Sequence, residues 1–256
     1  MLTLSADIVE KFYAFLWPMT RISAALMTAP LFATEASNAR VRFILALVIT
    51  MLVYPLIEWP RLDPLSAPGL IALLNQVAIG IVMGLSLQII VAAVVVAGQA
   101  ISATMGLSMA NLMDPTLGNV PLLSQFLLIM GSLIFLDLGG HLLLISSVVD
   151  SFTLLPIGKS LIGVESAGKL LAWSSMMFLG AVLVALPVMV SLLLVNIGVG
   201  VMTRAAPSLN IFSVGFPAML AAGFIVLMVC LGSMGDRIQW LWLQAFMRMR
   251  DILGVL

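Results

Sequence analysis

The chain has 256 residues, 62% of them hydrophobic and only 9% charged, and its mean hydropathy is +1.23. Eleven basic and eleven acidic side chains cannot clothe a solvated exterior of this size, which excludes an ordinary soluble domain. The formal net charge is zero, so no nucleic acid or strongly acidic partner is expected.

The first eleven residues carry Asp7, Glu10 and Lys11 where a cleavable leader would have a basic start, so insertion is expected to use the first apolar segment directly. That segment runs from about Phe12 to Phe32 and contains Arg21, a cation that must face protein or water inside an apolar helix. Pro30 is expected to end it, and Ala33 to Arg42 reads as a polar connection. A second apolar run, Val41 to Ile57, is barely long enough to span a bilayer. Pro55, Pro60, Pro64 and Pro68 then mark an extended connection, where Trp59 suits a membrane-interface position.

No formal charge occurs from Pro64 to Met113. A single helix over that stretch would measure about 75 Å at ~1.5 Å per residue, against a hydrocarbon core of ~30 Å. Two helices are therefore expected, or one that extends far beyond the bilayer. Gly80 and Gly84 stand at GxxxG spacing and, with Gly98, offer points of close packing.

The stretch Gln99 to Phe126 interrupts this regularity. It holds Asp114, the only formal charge between Asp63 and Asp137, together with Gly106, Pro115, Gly118 and Pro121. Glycine weakens a helix and proline removes a donor, so irregular backbone is expected here. In a membrane setting such backbone persists only where protein buries it or where it lines a water-filled path. Met105, Met109 and Met113 would share a face if this half were helical.

Leu122 to Leu136 is apolar again, closed by Asp137, Gly139, Gly140 and His141, and a further run reaches Val149. Ser151 to Gly168 reads as a connection containing Pro156, Gly158 and Gly163. Leu170 to Thr203 is uncharged, with a kink expected at Pro187. Arg204 follows, then a turn to Pro217, an apolar run from Ala218 to Gly235, and a mixed tail from Asp236 to Leu256. Arg248 and Arg250 in that tail hint at a cytoplasmic C-terminus.

Chemistry-bearing residues are sparse. One histidine and one cysteine, with no HExxH, GxSxG, P-loop or GxGxxG, supply no catalytic pair, metal set or cofactor cradle. No enzyme, cofactor or metal site is expected. Cys230 reads as a small buried hydrophobe and His141 as a helix-end side chain against Gly139-Gly140, with a proton relay as the alternative. Arg21 and Arg204 could line a path or serve ion pairing within an assembly.

Four stretches resemble one family. RISAALMTAPLF (Arg21 to Phe32), MGLSMANLMDPTLGNVPLLSQF (Met105 to Phe126), GHLLLISSVVDSFTLLPIG (Gly140 to Gly158) and AAPSLNIFSVGFP (Ala205 to Pro217) are similar to the FliR family of the flagellar type III export gate. The resemblance covers essentially the whole chain. It implies an all-α, hydrophobic pore subunit built of helical hairpins, with a FliP-like part over about 1–169 and a FliQ-like hairpin and tail over 170–256. It also implies a place in the bacterial inner membrane at the flagellar basal body. The implied partners are FliP-like, FliQ-like, FlhB-like and FlhA-like proteins, unfolded export substrates and membrane lipids.

On the same resemblance, a gate or plug loop comprises Gly106, Leu107, Ser108, Met109, Ala110, Asn111, Leu112, Met113, Asp114, Pro115, Thr116, Leu117, Gly118, Asn119 and Val120. A structural turn comprises Pro207, Asn210, Phe212, Gly215, Phe216 and Pro217. The residues suit such a gate, because methionine repacks cheaply around irregular surfaces. A secondary transporter or small-solute channel is the rival reading. It would require an inverted repeat, and the two halves offer no convincing pair of matching motifs.

Overall fold

A computed structural model describes residues 2–30, 38–57, 59–60, 62–107, 122–158, 163–205 and 215–254. Among them every regular element is helical. The order is α1 (Leu2–Thr28), α2 (Ala39–Val53) with a 3-10 turn (Tyr54–Leu56), α3 (Ala67–Thr104), α4 (Leu122–Asp137), α5 (Gly140–Leu154), α6 (Val164–Ser174), α7 (Met176–Ala205) and α8 (Phe216–Ile252). Four stretches are long and apolar enough to cross a membrane: Ala39–Leu56, Ala67–Thr104, Val164–Ala205 and Pro217–Ile252. The broken pair α4–α5 is a fifth if it counts as one span.

Local chemistry explains several boundaries. Asn38 is extended and its side chain accepts from the Arg40 amide at 3.3 Å, capping α2. Ser66 precedes α3 and its Oγ accepts from the Gly69 amide at 3.2 Å, while Asp63 Oδ1 accepts from the Leu65 amide at 2.9 Å. These are the side-chain bonds that a helix start lacks within its own ladder.

The uncharged run after Pro64 holds one 38-residue helix, α3, about 57 Å long at ~1.5 Å per residue, the second of the two arrangements expected there. Three other expectations change. The uncharged run after Leu170 is not continuous, since it is interrupted at Ser175, between α6 and α7. Helix α5 runs on through Ser151 to Leu154, and α6 begins at Val164, so the connection between them is shorter than Ser151 to Gly168. Finally, the mixed tail after Asp236 is no tail: α8 is a single 37-residue helix. Its buried residues Ile238, Leu241, Trp242, Ala245, Met249 and Ile252 recur at three and four, which is the helical period.

The chain forms two compact units interleaved along the sequence. The first contains Met1–Ile89, Gly139–Ser174 and Leu243–Leu256. In it, α1 and α3 run parallel in close contact. A Cβ on Gly80 would strike the Arg21 carbonyl and Ala24, and one on Gly84 would strike Thr28. An aromatic file joins Phe15, Tyr54, Trp59 and Phe152, with centroids 6.0, 6.1 and 5.3 Å apart in turn. The Trp59 indole donates to the Tyr54 carbonyl at 2.8 Å. Lys169 reaches from α6 to the end of α8, where it lies 3.2 Å from the Asp251 carbonyl and 3.4 Å from its carboxylate.

The second unit contains Ile90–Leu138 and Ser175–Trp242. Here α3 meets α4 antiparallel, Gly98 against Ser124 and Val94 against Gly131. The Trp242 indole donates to the Gly131 carbonyl at 3.0 Å, and its ring meets Phe135 edge-on at 4.7 Å. Gly180 of α7 packs against Ala93 and Leu241. The outer faces of α7 and α8 remain apolar, with Phe178, Leu186, Leu194, Ile225, Met228 and Val229 exposed.

The contact at Gly84 yields a prediction with an internal control. Gly84→Ala is expected to destabilise the chain by about 1–3 kcal/mol through overpacking against Thr28. Gly200→Ala, where a Cβ meets nothing within 4 Å, should instead stabilise α7 by up to ~1 kcal/mol. Resistance of the two variants to limited proteolysis in cell membranes compares them, and equal stabilisation by both would contradict the close α1–α3 packing.

Candidate functional site

The candidate stretch after α3 begins at a well-defined helix stop. The Gly106 amide donates to the Ala103 carbonyl and the Leu107 amide to the Ser102 carbonyl, both at 3.1 Å. Gly106 itself is left-handed at φ 76°. This pair of bonds around a left-handed glycine is the Schellman arrangement, which satisfies the last carbonyls of a helix and turns the chain away. Leu107 is half-buried beside it. Ser108, Met109, Ala110, Asn111, Leu112, Met113, Asp114, Pro115, Thr116, Leu117, Gly118, Asn119 and Val120 lie outside the described residues.

The loop's two stems are held together firmly. Ser124, in the first turn of α4, donates its hydroxyl to the Val95 carbonyl of α3 at 2.9 Å. Gly98 lets the two backbones touch, since a Cβ there would lie 2.5 Å from Ser124 Cα. The helices on either side of the segment between Leu107 and Leu122 therefore meet as a tight antiparallel pair. Met105, one residue before the stop, is fully buried with its thioether against Gly223 of α8. It is a core side chain that anchors the stem.

The second candidate element lies between α7 and α8, the two helices that the sequence expects it to join. Gly215 is buried immediately before α8, Phe216 is the first residue of that helix, and Pro217 is exposed. Pro207, Asn210 and Phe212 lie outside the described residues.

Of the isolated ionisable groups, Arg204 is exposed in the last turn of α7, where a cation complements the negative end of the helix dipole. His141 follows the left-handed Gly139 in the first turn of α5, half-buried, and its Nδ1 makes no hydrogen bond. Arg21 lines no path in this fold. It is fully buried in the first unit and bonded to Gln76, Ser151 and Leu155. Those partners are 55, 130 and 134 residues away, and no local pattern in the sequence marks them. Among the described residues, no three or more His, Cys, Asp or Glu side chains are grouped to hold a metal ion.

Residues 12–245 match the family described as bacterial export proteins, family 1. The chain is similar to the flagellar biosynthetic protein FliR of Pectobacterium carotovorum subsp. carotovorum, with 37% identity over 99% of this chain and 98% of that one. It is similar also to the flagellar biosynthetic protein FliR of Escherichia coli K12, at 33% identity over 94% and 93% of the two chains. The FliR protein of Bacillus subtilis 168 is 33% identical over 88% of each.

The helix stop can be tested directly. Gly106→Ala is expected to cost about 1–2 kcal/mol, because a side chain disfavours the left-handed conformation that the two amide bonds require. Hydrogen exchange at residues 102–107 should accelerate, whereas Gly198→Ala in α7 should leave it unchanged. Unaltered exchange in Gly106→Ala would show that the stop does not depend on the glycine.

Proposed function

Because this chain belongs to the bacterial export proteins, family 1, we propose that it is a pore-forming subunit of the flagellar type III protein export gate, passing unfolded flagellar subunits across the inner membrane. The observation that carries this reading is the match along nearly the full length of relatives named flagellar biosynthetic protein FliR. The proposed role is a conduit and not an enzyme, with energy supplied by other components.

The fold supports the reading in two ways. Helices α3 and α8 are each close to twice the ~30 Å thickness of a hydrocarbon core, and α7 and α8 carry large exposed apolar side chains. Surfaces of this extent on helices of this length suit burial against neighbouring subunits. The proposed neighbours are FliP-like and FliQ-like proteins, with FlhB-like and FlhA-like proteins at the same basal body. On this reading residues 1–169 correspond to a FliP-like part and 170–256 to a FliQ-like hairpin and tail.

Gly106 to Val120 is the proposed plug. It departs from α3 at a helix stop and returns to a stem pinned by Ser124, so displacing it leaves the hairpin's own ladder of bonds untouched. An arriving polypeptide then opens the gate at the cost of a loop's contacts only, whereas a continuous helix would have to break cooperatively. Leu107, Met109, Leu112 and Met113 are the proposed apolar seal. Pro207 to Pro217 is proposed as the rigid turn that sets the α7–α8 hairpin for assembly.

Two experiments test the proposal. Expressed alone, the chain should aggregate or be degraded, and co-expression with FliP-like and FliQ-like partners should restore a stable complex. A well-behaved, cooperatively melting monomer in detergent argues against it. Deleting Ala110 to Thr116 should leave that complex intact while making the membranes of non-exporting cells permeable to ions and small solutes. A deletion complex as tight as wild type removes the plug assignment while leaving the export role standing.

A further inference from the structure

Arg21 is enclosed on every side by the first unit. Its Nε donates to Gln76 Oε1 of α3 at 2.7 Å. Nη1 donates to the Ser151 carbonyl at 2.7 Å and to Ser151 Oγ at 2.9 Å, and Nη2 donates to the Leu155 carbonyl at 2.9 Å. The guanidinium lies over the Phe152 ring, 4.2 Å from its centroid. Among the described residues no carboxylate forms an ion pair with it.

A cation this deeply buried is costly unless its donors are satisfied. Here the compensation comes from the end of one helix. The last ladder bond of α5 runs from the Leu155 amide to the Ser151 carbonyl at 2.8 Å, and beyond it the Leu155 carbonyl has no helical amide to accept from. Both carbonyls sit at the negative end of the α5 dipole. The acceptors on α5 and the acceptor on α3 lie at different edges of one planar group. A guanidinium presents donors along those edges at once, whereas a lysine ammonium is a single point on a flexible stem.

We infer that Arg21 is a positioning residue: a cap for α5 supplied by α1, whose planar fork joins the end of α5 to α3 and sets the start of the turn Leu155–Gly158. That turn buries Ile157 and places the left-handed Gly158 against Leu62. It also explains why α5 continues through Ser151 to Leu154, where the sequence by itself suggests a connection.

The test is amide hydrogen exchange of the full chain in the membrane, comparing wild type with Arg21→Lys, Arg21→Met, Ser151→Ala and Gln76→Met. Both Arg21 variants are expected to accelerate exchange over residues 151–158 by roughly tenfold or more, with the α3–α4 hairpin of the second unit unaffected. Ser151→Ala keeps the carbonyl bond and should produce a smaller acceleration in the same segment, as should Gln76→Met. Wild-type exchange in Arg21→Lys would mean that charge alone suffices, and wild-type exchange in Arg21→Met would mean that the side chain only fills space. Equal acceleration along the whole chain would mean general destabilisation. Each of these overturns the inference. If the Arg21 variants fail to accumulate, Ser151→Ala and Gln76→Met decide it, and unchanged exchange at 151–158 in both would sink it.

Discussion

Close backbone approach along α3 is the constraint on which both units depend. This helix carries no side chain at positions 80, 84 and 98, and each gap is filled by a neighbouring backbone: α1 at the first two, the start of α4 at the third. In an apolar surrounding there is little hydrophobic gain in bringing two leucine-covered helices together, so dispersion contacts at short range must supply the attraction. Small residues make such contacts possible. Glycines also make room for side chains where Gly180 meets Ala93 and Leu241 and where Gly223 meets Met105.

Several polar side chains in these cores donate to a backbone carbonyl. Trp173 donates to Ser86, Trp242 to Gly131, Ser124 to Val95, and Arg21 to Ser151 and Leu155. A helical carbonyl already holds one bond and can accept a second, so it offers an acceptor without adding a charge. Ion pairs among the described residues include those that join α6 and α5 to the end of α8. Lys169 pairs there with Glu165 and Asp251, and Arg250 lies 3.9 Å from Asp150. Partial exposure of these groups keeps their individual contributions small. The bonds to carbonyls, being buried, do more to specify which helix meets which.

The two candidate elements occupy comparable places. One leaves α3 at Gly106 and the other arrives at α8 through Gly215, so each lies at the end of a helix much longer than a bilayer is thick. Long stiff helices held by close contacts deliver the chain beyond them to a fixed point, which is what the proposed gate requires of its stems.

Much was legible in the sequence because it depends on local composition. The near absence of charge required apolar helices, Gly106 announced the break that ends α3, and the spacing of Gly80 and Gly84 announced a close contact. The resemblance carried by Met105 to Phe126 and Gly140 to Gly158 led to the family, because such patterns survive in the sequence itself. What tertiary structure decided is what depends on residues far apart. Charge patterning placed the end of α5 near Val149, yet Arg21 holds it to Leu155 from 134 residues away. Asp236 looked like the close of an apolar run, yet α8 continues because Ile238, Trp242, Ala245 and Met249 find a core to enter. The spacing of Met105 could not say which face it buries, and the gap at Gly223 made it a core side chain. Local propensity proposes a helix, but where it ends and which face it buries depend on partners that only the folded chain brings within reach.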